Sequence, residues 1–200
     1  MPSLSGSTIG QFAMVAGWLG FGVLFARYRP RSRGRSAAVG PARGWRVGSL
    51  IQGVGFALAF SIQRPNRCTL AATGSTLDLA LAVLVVALMC LSIGLAVGAV
   101  RTLGRQWAVG ARIIEAHELV TTGPYAWVRH PIYAGMGGML IASGLVLSSW
   151  WALAAAIAFY GAGTVVRVRA EEKLLLDAFG DEYRAYRARV PAVVPWRGVA

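Results

Sequence analysis

Long apolar runs separated by arginine-rich stretches constrain this chain more than any other feature of its sequence. Three runs, 8–26, 45–62 and 77–100, are close to or beyond the length of a membrane-spanning helix, and a fourth apolar block covers 132–166. A helix needs about 20 predominantly apolar residues to cross the hydrocarbon core of a bilayer. The runs therefore predict helices that lie in a membrane.

The composition agrees with this interpretation. Apolar residues make up 56% of the 200 residues and charged residues only 14%, whereas about 25% is usual in a soluble domain. A soluble globule of this size keeps much of its surface in water and cannot bury so much apolar area. We therefore predict an all-α, polytopic integral membrane protein, with N-terminal membrane helices in residues 1–100 and a functional region in 101–200.

The fourth block is too long for one crossing. Ser148, Ser149, Trp150 and Trp151 lie near its middle, and tryptophan prefers the membrane interface. The block therefore predicts a helical hairpin, which brings the total to about five membrane helices. From Glu171 onward the chain becomes charged and amphipathic, which predicts a C-terminal cytoplasmic helix that Gly180 ends or bends.

The arginines predict the topology. Residues 27–46 contain seven arginines, 63–76 contain two, and 101–131 contain four. The positive-inside rule places the first and third of these loops in the cytoplasm. The N-terminus is then outside, the tail inside, and five crossings satisfy both. Residues 1–10 lack a basic residue and arginines follow the first run, so we expect no cleaved signal peptide.

The net charge of +12, carried by 19 arginines and one lysine, does not indicate nucleic-acid binding. The arginines flank apolar runs, where they orient the protein and meet anionic lipid headgroups. The two cysteines show no metal-binding or disulfide pattern. Cys90 lies within an apolar run, and we expect it to be a small buried apolar residue.

One stretch combines many chemically active residues: 117–133, HELVTTGPYAWVRHPIY. Gly123-Pro124 and His130-Pro131 are turn signals, and proline suits the first turn of the helix that follows. The free N–H groups at that helix start are suited to a carboxylate or phosphate. Both histidines of the chain lie here, but without a nearby cysteine or HxxxH spacing they predict no metal site.

A second stretch, RVRAEE, places Arg167 and Glu171 four residues apart on one helix face. By itself this spacing indicates an ordinary ion pair at a membrane boundary. The glycines at 135, 137 and 138 suggest close helix packing. No G-x-G-x-x-G follows a strand, which argues against a soluble nucleotide-binding fold.

Together the two stretches give GPY-x-x-x-RHP-x-Y, a helical hairpin, R-x-x-x-EE-x-x-L and FG-x-x-Y-x-x-Y. This tandem pattern resembles the isoprenylcysteine carboxyl methyltransferases and related phospholipid methyltransferases over roughly residues 101–196. The resemblance implies S-adenosylmethionine as methyl donor, in a cytoplasm-facing pocket. It also implies that Arg167 lies near the substrate, that Glu171 contacts the donor, and that both are catalytic. The other implied donor contacts are His117, Glu118, Leu119, Val120, Tyr125, His130, Pro131, Ile132 and Tyr133.

These residue types suit that donor. The faces of Tyr125 and Tyr133 can attract a sulfonium by about 0.5–2 kcal/mol, and Glu171 can accept charge-assisted hydrogen bonds from an amino group. Arg167 can align an acceptor carboxylate by bidentate pairing. A carboxylate nucleophile needs no general base, so positioning would supply most of the acceleration.

Two other functions remain open from the sequence: a membrane reductase of the sterol-reductase type that uses NADPH, and a non-catalytic membrane protein. The acceptor also remains open among carboxylates, amines and thiols of small hydrophobic or lipid-like molecules. The expected partners are this substrate and membrane lipids. We expect neither nucleic acid nor an obligate protein partner.

Overall fold

The computed structural model describes residues 5–28, 43–64, 75–104 and 118–195. These ranges contain five α-helices, and a short 3-10 helix, Gly123–Ala126, precedes the fourth. The prediction of an all-α fold is therefore confirmed. The helices are α1 (Gly6–Arg27), α2 (Arg43–Ser61), α3 (Thr76–Leu103), α4 (Pro131–Leu147) and α5 (Trp150–Arg189).

Three of these helices, α1, α3 and α5, are long and apolar enough to cross a membrane. Only 22% of the most apolar window of α1 and 28% of that of α3 is buried inside the protein. Large side chains such as Phe12 and Leu91 are 67% and 71% exposed. Apolar surface of this extent requires lipid around it. The helices α2 and α4 fall outside this group, so five crossings stay a prediction.

Cys90 corrects one expectation from the sequence. It is exposed on the outer surface of α3, whereas we expected a buried side chain. The reason is that an apolar run in a membrane helix is satisfied by lipid, so its apolar residues need not face the protein core.

The predicted hairpin lies where the sequence indicated, because α4 ends at Leu147 and α5 begins at Trp150. The end of α2 holds the turn in place: the Ser148 hydroxyl donates to the Ala59 carbonyl at 2.6 Å, and Arg64 Nη2 donates to the Leu145 carbonyl at 2.7 Å. These contacts close the end of the helix bundle that lies away from the starts of α2 and α4.

The predicted C-terminal helix is the distal part of α5. This helix has 40 residues and bends at Gly180, whose φ is +51°. At 1.5 Å per residue the part before the bend, residues 150–179, is about 45 Å long, which exceeds the hydrocarbon thickness of about 30 Å. Because its charged residues begin at Arg167, the second half must leave the membrane.

Glycines allow two helix pairs to approach backbone to backbone. A Cβ on Gly163 of α5 would lie 2.7 Å from the Gln52 nitrogen of α2, and one on Gly48 would lie 2.7 Å from the Gly163 carbonyl oxygen. A Cβ on Gly135 of α4 would similarly lie 2.7 Å from the Ser92 carbonyl oxygen of α3. The predicted packing role of Gly135 is thus borne out, and α2 lies directly against α5.

Candidate active site

The two stretches singled out in the sequence meet at the start of α4. The hydroxyl of Tyr133, which lies in the first turn of α4, donates a hydrogen bond to Glu171 Oε1 of α5. His130, immediately before α4, has its Nδ1 3.5 Å from Glu171 Oε2 and stacks on the Tyr133 ring with centroids 5.6 Å apart. Residues 38 to 41 positions apart in sequence therefore form one cluster.

The adjacent residues Glu171 and Glu172 of α5 contact two different sides of this cluster. Successive residues on an α-helix point about 100° apart. Glu171 faces Tyr133 and Arg167, whereas Glu172 faces Arg129, and the His130 ring lies between them with Nε2 3.5 Å from Glu172 Oε1. The Glu171 side chain is 18% exposed and that of Glu172 only 7%. Glu171 is therefore the carboxylate that a ligand can reach.

Glu172 is enclosed by cations. Arg129 donates to its Oε1 from Nε at 2.9 Å and from Nη2 at 2.6 Å, and Arg187 Nε lies 3.4 Å from Oε2. Both Arg129 and Glu172 belong to the patterns quoted from the sequence, but no role was predicted for either. Their geometry shows a buried ion pair that joins the loop to α5.

The same loop also binds the chain that follows α5. Arg129 Nη1 donates to the Val190 carbonyl, the Arg129 N–H to the Pro191 carbonyl at 2.9 Å, and the His130 N–H to the Ala192 carbonyl at 2.8 Å. The tail therefore fixes the backbone from which His130 projects.

Arg167 lies between two aromatic rings. Its Cζ is 4.4 Å from the centroid of Tyr133 and 4.8 Å from that of Trp45 in α2. Its Nη1 donates to Gln52 Oε1 at 2.8 Å, and its Nη2 lies 3.9 Å from Glu171 Oε1. The Nε is buried and has no hydrogen-bond partner among the described residues. A planar, weakly hydrated guanidinium suits such a stack.

Trp45 and Gln52 contact Arg167 and join this cluster, which the sequence did not reveal. They lie in the N-terminal region, outside the recognised pattern, and a tryptophan near a helix start is equally typical of a membrane interface. Only the close contact of α2 with α5 shows that they meet Arg167.

The remaining predicted donor contacts differ in exposure. Tyr125 is buried, and its carbonyl accepts from the Tyr186 hydroxyl at 2.6 Å. Burial raises the pKa of the Tyr125 phenol, so this side chain stays neutral. Pro131 is buried, Ile132, Leu119 and Val120 are half-buried, Glu118 is exposed, and His117 lies outside the described residues. The donor contacts predicted for these residues and for Tyr125 stay predictions.

His130 makes the cluster sensitive to pH. Burial by itself would lower the pKa of its imidazole, but hydrogen bonds and charge from Glu171 and Glu172 outweigh burial, and the pKa is raised. A raised pKa in the folded state means that the charged form contributes stability. This contribution is complete below about pH 6.5, the unfolded value, and is lost as pH rises through the folded pKa.

We therefore expect the wild-type protein to lose stability relative to His130→Gln as pH rises above about 6.5. The glutamine variant lacks the titrating group but keeps a hydrogen-bond donor. Thermal unfolding of both proteins in one detergent, across this pH range, gives the difference curve. A difference that is flat, or that grows with pH, would contradict the charged bridge.

Comparisons with known proteins show which family the chain is similar to. The model of the isoprenylcysteine carboxyl methyltransferase (ICMT) family matches residues 83–177. This range includes the hairpin, the His130–Tyr133 turn and both glutamates. The resemblance predicted from the sequence is confirmed: over these residues the chain is similar to the ICMT family.

Two curated relatives match part of the chain. Methanethiol S-methyltransferase 1 of Bradyrhizobium diazoefficiens is 40% identical over 73 residues, which are 36% of this chain and 25% of that protein. Protein-S-isoprenylcysteine O-methyltransferase of Saccharomyces cerevisiae is 36% identical over 80 residues, 40% of this chain and 34% of that protein. The chain thus matches about a third or less of the length of these relatives.

A solved structure extends the likeness to the N-terminal helices. The eukaryotic intramembrane Ras methyltransferase ICMT superposes with a TM-score of 0.54 and 20% identity, covering 96% of this chain and 67% of that one. At this identity the likeness concerns the fold alone. It confirms that the chain has the helical membrane fold predicted from its apolar runs.

Proposed function

We propose that this protein is a membrane methyltransferase that uses S-adenosylmethionine and acts on a small or lipid-like acceptor. The observation that supports this proposal is the contact between the two stretches. Glu171 and Arg167 lie next to each other, and Tyr133 contacts both, Glu171 through its hydroxyl and Arg167 through its ring. An accessible carboxylate and an aromatic-bound guanidinium are the groups needed to hold a cationic donor beside an anionic nucleophile.

The residues present suit the donor. A carboxylate offers about four acceptor positions. Tyr133 takes one, His130 and Arg167 lie nearby, and the partial exposure of Glu171 leaves room for an amino group. When bound, the donor supplies an electrophilic methyl group on a sulfonium. Glu171 would orient its amino end, and the face of Tyr125 would favour its positive charge, since the Tyr133 ring already contacts Arg167 and His130.

Arg167 suits an anionic acceptor. A carboxylate can pair with its guanidinium directly, and a neighbouring arginine also lowers the pKa of a thiol and so favours the thiolate nucleophile. The two relatives described above are named for a thiol and for an isoprenylcysteine. Both acceptor types can present an anion to the same guanidinium, whereas an ammonium would be repelled.

The reductase and non-catalytic alternatives are less well supported. The relatives described above carry methyltransferase names, and none of them is named a reductase. A purely structural arginine is usually fully paired, because an unpaired buried donor costs about 1–3 kcal/mol. Within the part of the chain that the structure describes, the Arg167 Nε has no partner, which favours a site that receives a ligand.

We also propose that the site faces the cytoplasm. Arg27 at the end of α1, Arg101 near the end of α3 and Arg46 near the start of α2 occupy the same end of the bundle as Arg167. Trp150 and Trp151, 65% and 62% exposed, mark the other end. An excess of arginine at one end is typical of the cytoplasmic side.

Methyl transfer from labelled S-adenosylmethionine to a panel of acceptors tests the function. The panel contains a prenylated cysteine with a free carboxylate, its carboxyl amide, a small alkyl thiol and a lipid amine. We expect label in the carboxylate or the thiol, and none in the amide or the amine. Labelling of the amine alone, or of none of the four, would overturn the proposal.

A further inference from the structure

We infer that Gln52 of α2 is a positioning residue that fixes the orientation of Arg167 for acceptor binding. This inference rests on the proposed function and deepens it. It assigns to an N-terminal helix, outside the region that matches the ICMT family, a defined part in the active site.

Gln52 belongs to a chain of three hydrogen bonds in which every donor points the same way, from Arg167 toward the Tyr160 carbonyl. The Thr164 hydroxyl donates to the Tyr160 carbonyl at 2.7 Å, so its oxygen is free to accept from Gln52 Nε2 at 2.8 Å. The amide oxygen of Gln52 then faces Arg167 and accepts from Nη1 at 2.8 Å. The reverse amide orientation would set two donors against each other, because arginine has no acceptor. Arg167 thus fixes which way the Gln52 amide points, and Thr164 accepts from its other end.

This bond decides which edge of the guanidinium stays available. With Nη1 committed to Gln52, the edge formed by Nε and Nη2 remains, and Nη2 lies toward Glu171 at 3.9 Å. Nε is buried without a partner among the described residues. The Tyr133 and Trp45 rings hold the plane from both faces, but stacking alone permits rotation within that plane. Gln52 prevents this rotation and presents the Nε–Nη2 edge to the acceptor.

The packing of α2 on α5 makes this arrangement rigid. Gln52 is only 3% exposed, and its backbone lies against Gly163, where a Cβ would not fit. A buried amide held at both ends has little freedom to move. The hydrogen bonds of Gln52 also contribute to the association of α2 with α5. Loss of that contribution alone would lower the stability of the protein but would not selectively lower turnover.

Single-turnover methyl transfer and donor affinity separate these two effects in Gln52→Leu, Gln52→Glu and Thr164→Val. Gln52→Leu should lower the transfer rate about tenfold, the value of one charge-assisted hydrogen bond, and leave S-adenosylmethionine affinity within about twofold. Gln52→Glu keeps an acceptor for Nη1 but adds a negative charge beside an anionic acceptor, so it should restore only part of the rate. Thr164→Val, which frees the amide, should have a transfer rate between those of the two Gln52 variants.

Ser49→Ala is the matched control. It removes a local hydrogen bond to the Trp45 carbonyl on the same helix and should transfer at the wild-type rate.

Nitrogen-15 spectra of arginine-labelled protein give a readout that does not depend on activity. The Arg167 signals, identified by their absence in Arg167→Lys, should show separate Nη1 and Nη2 resonances in the wild type and averaged ones in Gln52→Leu. Averaged signals in the wild type, or turnover in Gln52→Leu within about twofold of wild type, would overturn the inference. Failure of the proposed function has a different signature: no methyl transfer by the wild-type protein, whatever the Arg167 spectrum shows.

Discussion

Replacing Arg167 with Ala is expected to lower the single-turnover rate of methyl transfer about 100-fold and to leave donor affinity nearly unchanged. The side chain is aligned by Gln52 and two rings, and loss of alignment by about 1 Å can cost this factor. Arg167→Lys should rescue poorly, because an ammonium cannot reproduce a planar fork that stacks and pairs at once.

Glu171→Gln is the companion variant and should fail in a different way. Its amide keeps the shape but loses the charge that would face the donor's amino group, so the dissociation constant for S-adenosylmethionine should rise about tenfold. Loss of uniform binding raises KM, whereas loss of a transition-state contact lowers kcat. Near-wild-type values for all three variants would mean that Arg167 and Glu171 form only a structural pair.

Replacing Arg129 with Met is expected to destabilise the protein by about 3–5 kcal/mol, because the change leaves the Glu172 carboxylate buried without its main partner. Arg129 is 9% and Glu172 7% exposed in their side chains, and two nitrogens of Arg129 bind one carboxylate oxygen. Thermal unfolding in detergent measures the loss. The double variant Arg129→Met, Glu172→Gln should recover part of it, since no unpaired charge remains.

Arg184→Met provides the matched control for this prediction. Arg184 pairs with Asp181 on the same helix, but the two side chains are 67% and 93% exposed. An exposed pair contributes little, so this variant should unfold near the wild-type temperature. Equal losses from Arg129→Met and Arg184→Met would contradict the structural role assigned to the buried pair.

The apolar runs determined most of the fold, because a spanning helix must satisfy its backbone internally and so follows from length and hydropathy. The hairpin turn at Ser148–Ser149 followed from the interruption of a run too long for one crossing. Cys90 shows the limit of this reasoning. Hydropathy says that a side chain avoids water, but it does not say whether the side chain meets protein or lipid.

The site was predictable only where its residues are close in sequence or belong to a recognised pattern. Tyr133 and Glu171 were identified in this way, and the structure brings them into contact. Glu171 is accessible to a ligand and Glu172 forms a buried ion pair, and this difference depends on which side of α5 each residue faces. The contribution of Gln52 depends on glycine contacts between helices more than 100 residues apart, and spacing within the sequence does not contain that information.

Equilibrium titration of the detergent-purified protein with S-adenosylmethionine and, separately, with NADPH tests the central claim most directly. The proposed site predicts saturable binding of S-adenosylmethionine that weakens about tenfold in Glu171→Gln and persists in the exposed-pair control Arg184→Met, with no binding of NADPH. Saturable binding of NADPH, or binding of neither compound by folded protein, would contradict the assignment of this site to methyl transfer.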